Sequence, residues 1–179
     1  MKYLKKDDFF LHKIMPWIIE LDFSNKHIDE LPPLAKFQNL VRLQANNCKL
    51  KKLPTLPPSL KYLYVKNNEI SHLPELPEKL LVLDISNNNI FKLPKKLPSG
   101  LRIIICNDNN LRFISLSNQQ SLLRFDCKNN YIKWNHLLKN LPCSLLVLNK
   151  NCIYNTMSYS GLRLINPVDE KDICLKIDD

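Results

Sequence analysis

The sequence predicts a mostly β solenoid, a right-handed α/β-type horseshoe with a parallel concave sheet of about seven short strands. Three observations predict it. Apolar residues recur in fixed columns at intervals of 20 to 23 residues. An asparagine pair follows the apolar zigzag in the central units, as in "LYVKNN" and "LDISNN". Prolines crowd the stretches between zigzags, ten of the 12 lying between Pro32 and Pro142, while only Gly100 and Gly161 supply glycine.

The columns set each element in turn. Each unit opens on an apolar residue: Ile18, Leu40, Leu60, Leu80, Leu101, Leu122 and Leu145. The fourth position is Leu21, Leu43, Leu63, Leu83, Ile104, Phe125 and Leu148, and the sixth is Phe23, Ala45, Val65, Ile85, Cys106 and Cys127. Fourth and sixth positions alternate with polar neighbours, which is the period of a strand with one buried face. Lys150 breaks the sixth column, so the seventh strand is expected to stop near Leu148. The eleventh position returns to apolar residues: Ile28, Leu50, Ile70, Ile90, Leu111 and Ile132.

The ninth position reads Lys26, Cys48, Asn68, Asn88, Asn109 and Asn130. There the chain must turn away from the sheet, leaving backbone groups buried without strand partners. An asparagine amide carries donor and acceptor together and can satisfy such groups in its own and a neighbouring coil. A buried ladder of Cys48, Asn68, Asn88, Asn109 and Asn130 is therefore expected, with Lys26 outside it. The prolines of "KKLPTLPPSL", "SHLPELPEKL" and "FKLPKKLPSG" fix φ and remove a donor, so the return path is expected to be extended and polyproline-like. The later segments "RFISLSNQQSL" and "KWNHLLKNLPCSL" lack the full proline pattern, and a helical turn is expected there.

Across roughly residues 18 to 153 this L-x-x-L-x-L-x-x-N-x-L pattern with L-P-x-L-P returns resembles the short, bacterial-type subclass of leucine-rich repeat proteins. That subclass is known from secreted bacterial effectors, with similar repeats in large DNA viruses and amoebae. The resemblance implies a protein-binding solenoid. A solenoid needs capped ends, so residues 1–17 read as an N-terminal cap, 18–153 as the repeats and 154–179 as a C-terminal cap or tail. Within the first cap "DDFFLHKIM" is predicted as a short helix. In the tail "LRLI" and "ICLKI" are predicted as strand-like pieces.

Composition narrows the function classes. The near absence of glycine argues against phosphate-cradling loops. The net charge of +9 admits a nucleic-acid or anionic-surface partner, but 21 of the 26 basic residues are lysine, as AT-rich coding would produce. No apolar run has the length of a signal peptide core or a membrane span. The six cysteines form no CxxC pair and have no histidines at metal-ligand spacing, so reduced thiols in a cytoplasm are expected, of the producing cell or of a host. No cofactor is implied.

Cys106-Asn107-Asp108 is a Cys-x-Asp triplet of the kind some effector ubiquitin ligases carry in a separate helical domain. Here Cys106 falls at an inward strand position and is expected to be a buried, inert thiol, with Cys127 stacked beside it. His12, His27, His72 and His136 are scattered without a partnering carboxylate and nucleophile. No enzyme activity is expected.

The outward strand positions carry more information. The third and fifth positions bring together Tyr62, Tyr64, Val82, Ile103 and Ile105, flanked by Arg42 and Arg124. Water-facing strand faces are usually polar, and tyrosine and arginine are common interface anchors. The competing explanation is that such residues simply suit strands. The favoured reading is a non-enzymatic module that binds a partner protein on this concave face. The alternative is electrostatic binding to nucleic acid or anionic membrane through the lysine clusters at 49, 51 and 52 and at 92, 95 and 96. Nucleic acid is the less favoured partner, because Asp22 and Asp84 accompany the two tyrosines and the basic residues fall on other surfaces.

Overall fold

The computed structural model describes residues 17–116 and 118–132, together with 142, 144, 145 and 147–149 around the last strand. The helix expected at 7–15, the strand-like pieces of the tail, and His12, His136 and Lys150 lie outside the described residues.

Seven three-residue strands follow one another: β1 (Glu20–Asp22), β2 (Arg42–Gln44), β3 (Tyr62–Tyr64), β4 (Val82–Asp84), β5 (Ile103–Ile105), β6 (Arg124–Asp126) and β7 (Val147–Asn149). They form one parallel sheet in chain order. The register is unbroken, with Leu21, Leu43, Leu63, Leu83, Ile104 and Phe125 as successive partners. Strand partners lie one coil apart, so every repeat adds one strand and one coil. That is the solenoid the column spacing predicts.

The inward columns form one continuous core. Leu40, Leu60, Leu80, Leu101 and Leu122 are fully buried, as are Leu43, Leu63, Leu83, Ile104 and Phe125. Each such side chain removed from water contributes about 1.5–3 kcal/mol. Leucines of the return path, among them Leu34, Leu56, Leu76, Leu97 and Leu116, close the core from the convex side.

The return path has its own column. Phe37, Pro57, Pro77, Pro98, Gln119 and Pro142 each accept, through the backbone carbonyl, the N–H of the residue that opens the next repeat. Proline is tolerated at this first turn position because only its carbonyl is used there, and its missing N–H is not called on. Where the column lacks proline, the free N–H makes a second bond, Phe37 to the Leu34 carbonyl and Gln119 to that of Leu116, both 3.0 Å. These are successive three-residue turns. The helical turn expected at 112–122 is not found among the described residues there.

Candidate functional site

The ninth-position asparagines knit the coils. The amide oxygen of Asn68 accepts the N–H groups of Cys48 (3.1 Å) and Leu50 (3.0 Å) in the preceding coil. Its amide nitrogen donates back to the carbonyls of Ala45 (2.8 Å) and, in its own coil, Val65 (2.9 Å). Asn88, Asn109 and Asn130 repeat the arrangement, with the N–H groups of Ile70, Ile90 and Leu111 each 3.0 Å from the side-chain oxygen. All four asparagines are buried. Cys48 sits in the same column and donates its thiol to the carbonyl of Phe23 at 3.0 Å. Lys26 fills this column in the first coil, and its ammonium lies 6.0 Å from the centre of the Phe23 ring.

A second, exposed row at the eighth position escapes the sequence reading. Asn25, Asn47, Asn67, Asn87, Asp108 and Asn129 all have φ between 51° and 61°. Asparagine and aspartate tolerate this left-handed region better than other non-glycine residues, so they serve where glycine is missing. The side chains chain together: Asn47 donates to Asn25, Asn67 to Asn47 and Asn87 to Asn67 at 2.7–2.8 Å. Asn129 donates to Asp108 at 2.7 Å. The row breaks between Asn87 and Asp108, because a carboxylate has no N–H to offer Asn87. The doubled asparagines 67–68, 87–88 and 129–130 were the available signal: the first holds the bend and the second fills the core.

These two rows fix the strand ends and so the concave face. On it, the Arg42 guanidinium lies 4.5 Å from the ring centroid of Tyr62 and 5.9 Å from that of Tyr64. Its Nε also donates to Glu20 at 3.2 Å. Tyr62, Tyr64 and Ile105 pack with Leu81 around Val82 and Ile103 in a small cluster separate from the main core. Val82 and Ile103, expected to face a partner, are only 3% and 5% exposed. Adjacent strands run about 4.8 Å apart, so the bulky tyrosines and Ile105 drape over the smaller residues between them. The accessible part of the patch is thus Arg42, Tyr62, Tyr64 and Ile105, on a floor of Val82 and Ile103.

Arg124 stands apart from the tyrosines. Its Nε and one terminal nitrogen donate to the same Asp126 oxygen, at 3.0 and 2.6 Å. The pair is largely desolvated, with Asp126 buried. Asp84, the other acid beside the cluster, accepts the Ser86 hydroxyl at 2.6 Å and its N–H at 3.0 Å. The lower rim of the face is therefore occupied by internal polar contacts, and the upper rim by Arg42 over the aromatic rings.

The remaining candidates have structural surroundings. Cys106 is fully buried, its thiol 3.2 Å from the carbonyl of Asp126. Burial, and secondarily the neighbouring Cys127, pushes that thiol well above its ordinary value. Such a thiol is a poor nucleophile. Burial also raises the Cys48 thiol. His27 and His72 are exposed. Among the described residues no cluster of three or more His, Cys, Asp or Glu can hold a metal ion, and no helix is long and apolar enough to cross a membrane.

No family model matches the chain, nor does any curated protein. Solved structures do. YopM from Yersinia enterocolitica WA-314 is 31% identical over 77% of this chain, with a TM-score of 0.67. The chain spans only 29% of that protein's length. The leucine-rich effector protein YopM from Yersinia pestis is 27% identical, over 76% of this chain and 48% of its own, with a TM-score of 0.42. A Shigella effector leucine-rich repeat domain is 23% identical, over 75% and 81%, with a TM-score of 0.49. The repeat columns and the one-strand parallel coils make the chain a leucine-rich repeat solenoid, and the first of these structures shows that it is similar to bacterial effectors of that kind.

Proposed function

We propose that the chain is a non-enzymatic module that binds a partner protein on its concave face. The observation that carries this reading is the stacked cluster of Arg42, Tyr62 and Tyr64 beside Ile105, held on the floor of Val82 and Ile103. Tyrosine and arginine anchor interfaces because they offer large contact area with a polar end. A sheet fixed by two rows of inter-coil bonds limits the ordering cost of binding. Arg124, bound to Asp126, borders the patch and gives its edge a fixed charge pattern rather than a free cation.

The likeness to YopM supports an effector-like role directed at a host protein, with the chain acting in the cytoplasm of the producing cell or of a host. Buried Cys106 supports the non-enzymatic part of the reading, since the Cys-x-Asp triplet presents no accessible thiol. The test is affinity capture from host-type and producer-type lysates, read by mass spectrometry, with wild type beside a Tyr62→Ala/Tyr64→Ala variant. A partner retained by wild type and lost by the double variant supports the assignment. A partner set identical for both removes the concave tyrosines from the site.

A further inference from the structure

By repeat position alone, basic and aromatic side chains fall on different surfaces. The fold brings some of them onto one. On the flank that leaves the asparagine turn, Phe91, Asn110, Arg112 and Tyr131 line a shallow open groove across the fourth, fifth and sixth coils. The backbone there is held coil to coil: Asn110 N–H to Ile90 and Tyr131 N–H to Leu111, both 2.9 Å. Phe91 and Tyr131 are 39% and 51% exposed, and Phe113, on the coil between them, is 68% exposed. Lys92 holds its ammonium 5.5 Å from the centre of the Phe91 ring, and the His72 ring meets that ring edge-on at 4.7 Å.

The charge of this flank differs from that of the convex side. Lys52 and Lys96 are engaged by Glu30 and Glu78. Arg112 and Lys92 form no ion pair with a carboxylate among the described residues. Among the described residues the groove lining contains no acid. The nearest acid along the chain, Asp108, is bonded to Asn129. Exposed aromatic rings on the fourth and sixth coils, with the Arg112 cation on the coil between them and Lys92 beside Phe91, are what a single-stranded nucleic acid recognises. Bases stack on the rings and phosphates meet the cations, with little sequence preference.

We propose that this flank groove binds single-stranded nucleic acid, through Phe91 and Tyr131 as stacking platforms and Arg112 and Lys92 as phosphate contacts. The surface is distinct from the concave face and does not depend on the protein-binding reading.

The test uses the full chain and a fluorescein-labelled 12-nucleotide oligo-dT and oligo-U, read by anisotropy at several salt concentrations. Binding is expected for both strands, with Phe91→Ala/Tyr131→Ala weakening it by about tenfold or more. Lys92→Gln/Arg112→Gln should flatten the salt dependence by about 1.4 in the slope of log K on log salt, at about 0.7 per phosphate contact for single strands. A charge-matched control, Lys36→Gln/Lys79→Gln, alters two exposed lysines remote from the groove in sequence. Circular dichroism melts keep unfolded variants out of the comparison. The proposal is overturned by no binding at 100 mM salt, by equal losses in the groove and control lysine variants, or by full binding by the aromatic variant. Tighter, Phe91-dependent binding of poly-glutamate than of either oligonucleotide also overturns it, and assigns the groove to acidic peptide instead.

Discussion

The side-chain oxygen of Asn68 accepts the backbone N–H of Leu50 at 3.0 Å, tying together two coils whose residues lie eighteen positions apart. No strand contributes to this bond. It lies where the chain has already left the sheet, and it is what makes a three-residue strand sufficient for each coil.

Asn88 makes the same bond deeper in the stack. Asn88→Ala strands the Ile70 N–H and takes one of two amide donors from each of the Val65 and Ile85 carbonyls, which keep Asn68 and Asn109. One buried unsatisfied N–H costs about 1–3 kcal/mol, and the lost second bonds to the carbonyls add to it, so a loss of about 2–3 kcal/mol is expected in urea denaturation. Asn88→Asp should be at least as damaging, because a carboxylate cannot donate to the two carbonyls. An aspartate variant as stable as wild type would contradict the donor role.

Gln119 occupies the return-path column otherwise held by proline or phenylalanine, and its Oε1 is buried without a hydrogen-bond partner among the described residues. Gln119→Leu removes that orphan and keeps the backbone N–H that reaches Leu116. A gain of about 1 kcal/mol is expected, seen as a rise of about 2–4 °C in Tm. A fall in Tm would show that the amide carries more than its one weak bond to the Leu97 carbonyl at 3.4 Å.

Asp108 interrupts the exposed amide row. Asp108→Asn supplies the N–H that Asn87 lacks and preserves a residue suited to φ of 54°. The expected gain is small, about 0.5 kcal/mol, because the bond is solvent-exposed. Chemical denaturation of the single variant beside Asn87→Ala/Asp108→Asn checks it: the gain should vanish when Asn87 is absent.

The Cys106 thiol is raised in the fold above its ordinary value of 9.0, chiefly by burial. A raised pKa means that the folded state holds this proton more tightly than the unfolded chain does. Its contribution to stability is fully present below about pH 9 and is lost as pH rises from there through the folded value. Stability should therefore decline on the alkaline side, and Cys106→Ala should make that decline shallower while lowering stability at neutral pH. Alkylation of Cys106 by iodoacetamide in the native protein should be slow at pH 8 and track unfolding.

Most of the scaffold was legible in the sequence because its period is rigid. Leu43, Leu63, Leu83 and Ile104 recur at strand spacing, and one misplaced residue would expose a whole face. The buried asparagines were legible for the same reason, since Asn68, Asn88, Asn109 and Asn130 stand where no strand partner is available. Burial within the concave face was not legible. Val82 and Ile103 share an outward column with Arg42, and only the packing of Tyr62, Tyr64 and Ile105 across strands shows that they are floor rather than surface. The eighth-position row was hidden behind the ninth, and the flank groove was hidden because Phe91, Arg112 and Tyr131 occupy different repeat positions. The proline column also concealed a donor count, since Phe37 and Gln119 make a bond that Pro57 and Pro77 cannot.

The most direct measurement of the concave-face reading is the affinity of the captured partner for wild type and for Tyr64→Ala/Ile105→Ala, by titration calorimetry, with thermal melts of both proteins. Both side chains are only partly buried and lie outside the main core, so the variant should keep its cooperative melt. Its Kd should rise by at least about tenfold, as loss of interface anchors does. An unchanged Kd in a variant that melts like wild type would contradict partner binding at this face.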